Sequence, residues 1–183
     1  MITKKLKKRI QIAVVGSAGR EEYPKGAQPE NKIFKLAYEV GRLLGQKGII
    51  VITGGKTGIM LEASRGCKEA GSITIGVVKG NLRFTSNKYT DVEVVTGFIG
   101  GAEATIISLM ADGLIVIGGG AGTLHEVATA YRNIKPIVLI DSVSGWSRRL
   151  SESSFLDERK KVKFIKAGSP KEAVNRILKA VGK

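Results

Sequence analysis

Short runs of branched apolar residues recur along this chain, and stretches with helical periodicity separate them. The runs are IQIAVVG (10–16), IIVITGG (49–55), SITIGVV (72–78), VEVVTG (92–97), GLIVIGGG (113–120) and PIVLID (136–141), with VKFIKAG (162–168) as a candidate seventh. Their length, branched composition and closing glycines favour strands over buried helix segments. Strands that are apolar at nearly every position, rather than at every second one, belong in a sheet covered on both faces. Residues 31–47 place Ile33, Leu36, Ala37, Val40 and Leu44 on one helical face, and Gly48 stands at the C-cap position. Helices are also expected over 57–70, closed by Gly71, over 101–111, with Ile106, Leu109 and Met110 inward, and over 122–131. The last begins at Ser169-Pro170-Lys171-Glu172, an N-cap followed by proline at N1 and a capping-box glutamate. It runs to about Val181 on a stripe of Ala173, Val174, Ile177, Leu178 and Val181. The polar stretch 79–91 has no period and is expected to be a mobile loop.

This order predicts an α/β fold: a three-layer, Rossmann-like, doubly wound and mainly parallel sheet of six to seven strands. The 183 residues suffice for one well-buried domain, so 1–183 is expected as a single nucleotide-binding domain with residues 1–9 as a basic extension. Ligands of such folds bind beyond the carboxyl ends of the strands, where strand order reverses. Four glycine clusters fall on that edge: Gly16 with Gly19, Gly54 and Gly55 with Gly58, Gly100 with Gly101, and Gly118, Gly119 and Gly120 with Gly122.

Several classes of function are disfavoured. No segment approaches the roughly 18 uninterrupted apolar residues that a membrane span requires. The basic start followed by a short apolar run ends in Gly16, Ser17 and Gly19, which suits a strand and turn better than a signal peptide. One cysteine, Cys67, excludes an intramolecular disulfide and fits a reducing compartment, so a cytoplasmic location is expected. Cys67 falls in a helical pattern and reads as a packed residue. The single histidine, His125, leaves no multi-histidine or Cys-His metal site and reads as a partly exposed polar residue. The net charge of +14 is concentrated in two runs, Lys4 to Arg9 and Arg159 to Lys163. Neither interleaves aromatics as a single-strand binding surface does, so nucleic acid is not the expected partner.

The segment VIGGGAGTLHE (116–126) carries the chemistry. Its glycines let backbone N–H groups approach an anion, and the helix that follows adds partial positive charge there. The Thr123 hydroxyl can cap that helix or donate to a phosphate oxygen. Glu126 has two readings: a capping-box partner of Thr123, or a carboxyl facing the sugar of a bound nucleotide as hydroxyl acceptor or acid/base. The candidate ligand set is Gly16, Ser17, Gly19, Gly54, Gly55, Thr57, Gly118, Gly119, Gly120, Gly122 and Thr123. None of these residues requires a cofactor.

GGGAGTLHE resembles the PGGxGTxxE motif of the "lonely guy" phosphoribohydrolases. It is more similar still to the GGGxGTxxE form of molybdenum-cofactor carrier proteins and their uncharacterised prokaryotic relatives. GSAG after the first strand, TGGKTGIMLEASRGCKEAG and IDSVSGWSRRL resemble further segments of the superfamily, and together the likeness covers about residues 10–180. The resemblance implies a phosphorylated small-molecule ligand, a bound nucleotide or molybdopterin-type cofactor, and a homo-oligomer, dimer or tetramer, with the 101–111 helix as a candidate interface. It implies for the hydrolase branch that Glu126 is catalytic, beside an arginine in the preceding helix. Here that position is Glu103, and a carboxylate replaces neither the phosphate contact nor the charge stabilisation of a guanidinium. Arg20, Lys56 and Arg83 are substitute cations from other loops. The expected function is therefore binding, as carrier or sensor, with release of free base and ribose 5-phosphate from a nucleoside monophosphate as the alternative.

Overall fold

The computed structural model describes residues 8–26 and 28–182. Seven strands form one sheet: β1 (Gln11–Gly16), β2 (Ile50–Thr53), β3 (Thr74–Val78), β4 (Val92–Val95), β5 (Gly113–Ile117), β6 (Ile137–Ile140) and β7 (Ile165–Ala167). Their order is β4-β3-β2-β1-β5-β6-β7 and every neighbouring pair is parallel. The chain winds outward from β1 to one edge, returns through the centre as β5 and winds to the other edge. The reversal lies between β1 and β5, and Gly16 stands opposite Ile117 at their carboxyl ends.

Six helices cover the sheet: α1 (Asn31–Gln46), α2 (Ile59–Glu69), α3 (Glu103–Met110), α4 (Ala121–Arg132), α5 (Trp146–Ser151) and α6 (Pro170–Ala180). Strand β5 shows why its sequence lacks alternation. Ile115 and Ile117 enter the core under α1, α2 and α6, whereas Leu114 and Val116 enter the core under α3, α4 and α5. All four side chains are fully buried. Helices α1 and α2 approach closely through small residues. A methyl group on Gly66 would lie 2.1 Å from the Tyr38 carbonyl oxygen, and one on Gly41 2.0 Å from that of Ala63. Cys67 faces this interior, where burial pushes its thiol up to about 11.

The structure differs from expectation at the strand ends and in two short elements. Strand β5 stops at Ile117, and Gly118 and Gly119 turn with φ of 66° and 100°. A single 3₁₀ turn, Arg20–Glu22, and the six-residue α5 are too short to show a period. The stretch 79–91 is irregular but pinned. The Glu93 carboxylate accepts from the Phe84 and Ser86 N–H groups at 2.7 and 2.8 Å, and Asn87 N–H donates to the Gly55 carbonyl at 2.7 Å. At α6, Ser169 accepts from Glu172 N–H and Glu172 reaches back to Gly168 N–H, one residue before the N-cap. Apart from Lys8 and Arg9, the basic run at the start lies outside the described residues. Among those residues no helix is long and apolar enough to cross a membrane.

Candidate functional site

The rim at the strand-order reversal is built by backbone closing on backbone. A methyl group on Gly16 (φ 154°) would lie 1.9 Å from the Ile117 carbonyl oxygen, so only a bare Cα lets β1 and β5 end so close together. Ser17 then ties the two strand ends: its N–H donates to that carbonyl at 3.2 Å, and its Oγ accepts from Gly119 N–H at 2.9 Å. Gly118 N–H donates to Ser147 Oγ at 2.9 Å, and Ser147 Oγ donates onward to the Ile140 carbonyl at 2.7 Å. The N–H groups of Trp146 and Ser147 return to the carbonyls of Gly119 and Gly118 at 3.1 and 2.9 Å. The glycine turn is thus clamped by the start of α5. Ser147→Ala leaves the buried Gly118 N–H and Ile140 carbonyl each without a partner, so a loss of about 2 kcal/mol is expected in denaturant unfolding. An unchanged midpoint would show that this clamp is not structural.

This clamp relocates the anion-receptive donors. The amides of Gly118 and Gly119 are committed inside the turn. Helix α4 has Gly120 as its N-cap, with no side chain to cap it, and Gly120, Ala121 and Gly122 are exposed. The first-turn N–H groups of α4 therefore face solvent with the positive end of the helix dipole. The capping-box reading of Thr123 and Glu126 fails for the same reason. Thr123 lies three residues inside the cap; its hydroxyl donates to the Gly16 carbonyl at 3.2 Å and the residue is 3% exposed.

These exposed amides open onto a cleft of about 340 Å³. Gly16, Gly54, Gly120, Gly122, Thr123 and Glu126 line it, whereas Ser17, Gly118 and Gly119 stand behind its wall as scaffold. Gly19 lines a separate groove of about 610 Å³ beside α1 and α2. Although larger, that groove has acids already paired within their own helices, Glu62 with Arg65 on α2 and Glu39 with Arg42 on α1. Gly55 (φ 68°) forms the turn after β2, its N–H donating to Thr53 Oγ1 at 3.0 Å, and Thr57 donates to the Glu22 carboxylate at 3.4 Å. Of the substitute cations, Arg20 donates to the Pro29 carbonyl in the separate groove and Arg83 lies over the Phe84 ring. Lys56 does reach the cleft and donates to the Thr85 carbonyl at 2.8 Å. His125 is exposed on α4, sharing a hydrogen bond with Thr105 and lining a different groove.

Sequence reasoning missed Glu22, Tyr23, Met60 and Lys79 in the cleft wall. Lys79 follows β3 at its carboxyl end, the same register signal that the glycines gave. Its exposed side chain makes no hydrogen bond or ion pair among the described residues. For Tyr23, in an irregular segment, the sequence holds no signal.

The same cleft also holds two acids. Glu103, the first residue of α3, and Glu126, in the second turn of α4, both line it. Glu103 Oε2 is buried without a hydrogen-bond partner, and Glu126 makes no side-chain hydrogen bond among the described residues. Glu126 keeps some exposed surface on the cleft, but protein atoms crowd its carboxyl. Burial first, and the neighbouring Glu103 charge second, push that carboxyl up to about 8. At neutral pH it is mostly a neutral acid that can donate a proton or a hydrogen bond.

Comparison with known proteins places this arrangement among relatives. The family model described as LDcluster4, SLOG cluster4 family, matches residues 9–174. The structure of the molybdenum cofactor carrier protein from Chlamydomonas reinhardtii superposes with a TM-score of 0.79 at 29% identity, covering 96% of this chain and 100% of that one. The molybdenum cofactor binding protein of the phototrophic bacterium Rippkaea orientalis gives 0.78 at 30%, covering 94% and 97%. The cytokinin riboside 5'-monophosphate phosphoribohydrolase of Mycobacterium tuberculosis is 24% identical over 182 residues, 90% of this chain and 95% of the relative.

Proposed function

This chain belongs to the SLOG cluster4 family, and from that premise we propose that it is a cytoplasmic carrier for a phosphorylated small molecule, a nucleotide or a molybdopterin-type cofactor. One observation carries the reading: the cleft at the strand-order reversal is lined by uncapped helix amides, by two carboxyls without hydrogen-bond partners, and by no arginine among the described residues. A phosphate bound at Gly120, Ala121 and Gly122 would gain the helix dipole, and the Lys79 ammonium lines the same cleft. The Chlamydomonas carrier protein and the Rippkaea cofactor binding protein, similar over nearly their whole length, support a cargo of molybdopterin type. The cleft volume falls within the range of small-molecule sites, roughly 300–1,000 Å³. The oligomer implied by the resemblance is part of this proposal, and Leu109 of α3, which its sequence pattern puts inward but which is 46% exposed, offers it apolar surface.

Hydrolysis is the competing reading, supported by the mycobacterial relative and by a protonated Glu126 able to donate to a departing base. Against it stands Glu103, a carboxylate at the position where the resemblance puts the arginine that could hold the substrate's phosphate. Incubation with a panel of nucleoside monophosphates and pterin phosphates separates the two. The expected outcome is no free base, together with a thermal shift from at least one compound; saturation at 100 times Kd stabilises by about 2.7 kcal/mol. Base release that disappears in Glu126→Gln would replace the carrier reading with the enzyme.

A further inference from the structure

Among the described residues eight large apolar side chains are exposed, and four of them gather in two short segments beyond β3 and β4. Leu82 and Phe84 are 68% and 86% exposed, Phe98 and Ile99 48% and 79%. The segments run side by side: Gly80 N–H donates to the Phe98 carbonyl at 2.6 Å, and Gly97 N–H donates to the Gly80 carbonyl at 2.9 Å. Single exposed apolar residues are ordinary on a protein surface, whereas several on adjoining loops mark a contact surface.

The loop that carries Phe84 is fixed in place. Besides the two N–H groups held by Glu93, the Lys56 ammonium donates to the Thr85 carbonyl at 2.8 Å, and Asn87 Nδ2 donates to the Lys56 carbonyl at 3.0 Å. Phe84 has a φ of 62°, a conformation that glycine or asparagine adopts with less strain. Little of its ring is buried in return; it stands in solvent with the Arg83 guanidinium 4.9 Å from its centre. A strained backbone, held so that an aromatic ring meets solvent, is preorganised for contact, because little ordering is left to lose on binding.

The charges around these residues select the partner. Lys79, Arg83 and Lys88 are exposed, and none forms an ion pair among the described residues. The acids of the same stretch are occupied: Asp91 pairs with Lys68, and Glu93 holds the two loop amides. The rim is therefore cationic. A second copy of a chain with 30 Lys and Arg against 16 Asp and Glu would bring the same sign against it.

We infer that loops 80–86 and 97–101 form a docking surface for an acidic protein, with Phe84 and Ile99 as apolar anchors and Lys79, Arg83 and Lys88 pairing with its carboxylates. Aromatic and arginine side chains carry most of the binding energy at contacts of this kind. Lys79 and Gly101 also line the cleft, so a protein seated here stands at the cleft's edge. The inference goes beyond the carrier reading and does not depend on what the cleft holds.

Random peptides of about 12 residues displayed on phage, selected on the full chain, supply the probe. The enriched sequences should combine Asp or Glu with large apolar residues, and their binding should weaken as salt rises. Affinity of the synthesised peptides, read by fluorescence anisotropy, should fall about 10-fold or more in Phe84→Asn, which keeps the left-handed backbone, and in Ile99→Ser. Both variants should sediment as the parent does. Absence of enrichment, selection of basic or uncharged peptides, or affinities unmoved by both variants overturns the inference. A change of oligomeric state in either variant overturns it too, by making a second copy the occupant. Should Phe84→Asn fail to fold, Ile99→Ser and the charge of the selected peptides still decide.

Discussion

Gly16→Ala is expected to lower the thermal midpoint by about 10 °C and to abolish ligand binding together with it. The new methyl group would meet the Ile117 carbonyl oxygen at 1.9 Å, and Gly16 has a φ of 154° that side chains rarely adopt. Relief requires β1 and β5 to part at their carboxyl ends, where Ser17 N–H, Ser17 Oγ and the Thr123 hydroxyl all cross between the segments. A backbone clash of this kind in a close-packed core costs about 3 kcal/mol, and for a chain of this length each kcal/mol moves the midpoint by roughly 2–4 °C. Gly122→Ala supplies the contrast. A methyl group there meets nothing within 4 Å and the residue is already helical, so the midpoint should hold or rise slightly. Circular dichroism melts of the two variants make the comparison. A Gly16→Ala protein that melts with the parent would mean the strand ends are not in contact.

The second large effect concerns pH. Glu126 has its carboxyl pushed up to about 8 from 4.5 by burial and by Glu103. The folded state then holds this proton more tightly than the unfolded chain does. Its contribution to stability is complete below about pH 4.5 and is lost as pH rises through about 8. Within that window the slope reaches at most about 1.4 kcal/mol per pH unit. Glu126→Gln keeps the shape and removes the titration. Its unfolding free energy should lack this fall, so that it is the less pH-sensitive protein from pH 5 to 8 and the more stable one at pH 8.5. Glu103, Glu22, Tyr23, Lys56 and Lys79 share the cleft in both proteins, so the difference between the two curves isolates Glu126 and its coupling to Glu103. Parallel curves would show that Glu126 ionises as an ordinary surface carboxylate.

Much of the architecture was legible because burial on both faces leaves a mark that no other environment leaves. Ile115 and Leu114 are adjacent in sequence and face opposite cores, and a run such as GLIVI is the only local record of that arrangement. The cleft's location followed too, since glycines closing several strands mark one edge of a parallel sheet. Short elements were not legible: six residues of α5 span less than two turns, too few for periodicity to appear. Yet α5 carries Ser147, on which the whole glycine turn hangs.

The roles within VIGGGAGTLHE were decided at another level. Sequence alone determined that residues 116–126 form a strand, a glycine turn and a helix, and that Glu126 follows one turn beyond the last glycine. It left the glycine amides interchangeable and Glu126 equally suited to a cap or a ligand. Tertiary contacts broke both ties. Ser17, 102 residues from Gly119, and Ser147, 29 residues from Gly118, take two of the amides. Glu103, in the preceding helix, stands by Glu126 and raises its affinity for a proton. Hydrogen bonds and electrostatic coupling depend on distance in space, and local spacing does not encode which distant groups the fold brings within reach.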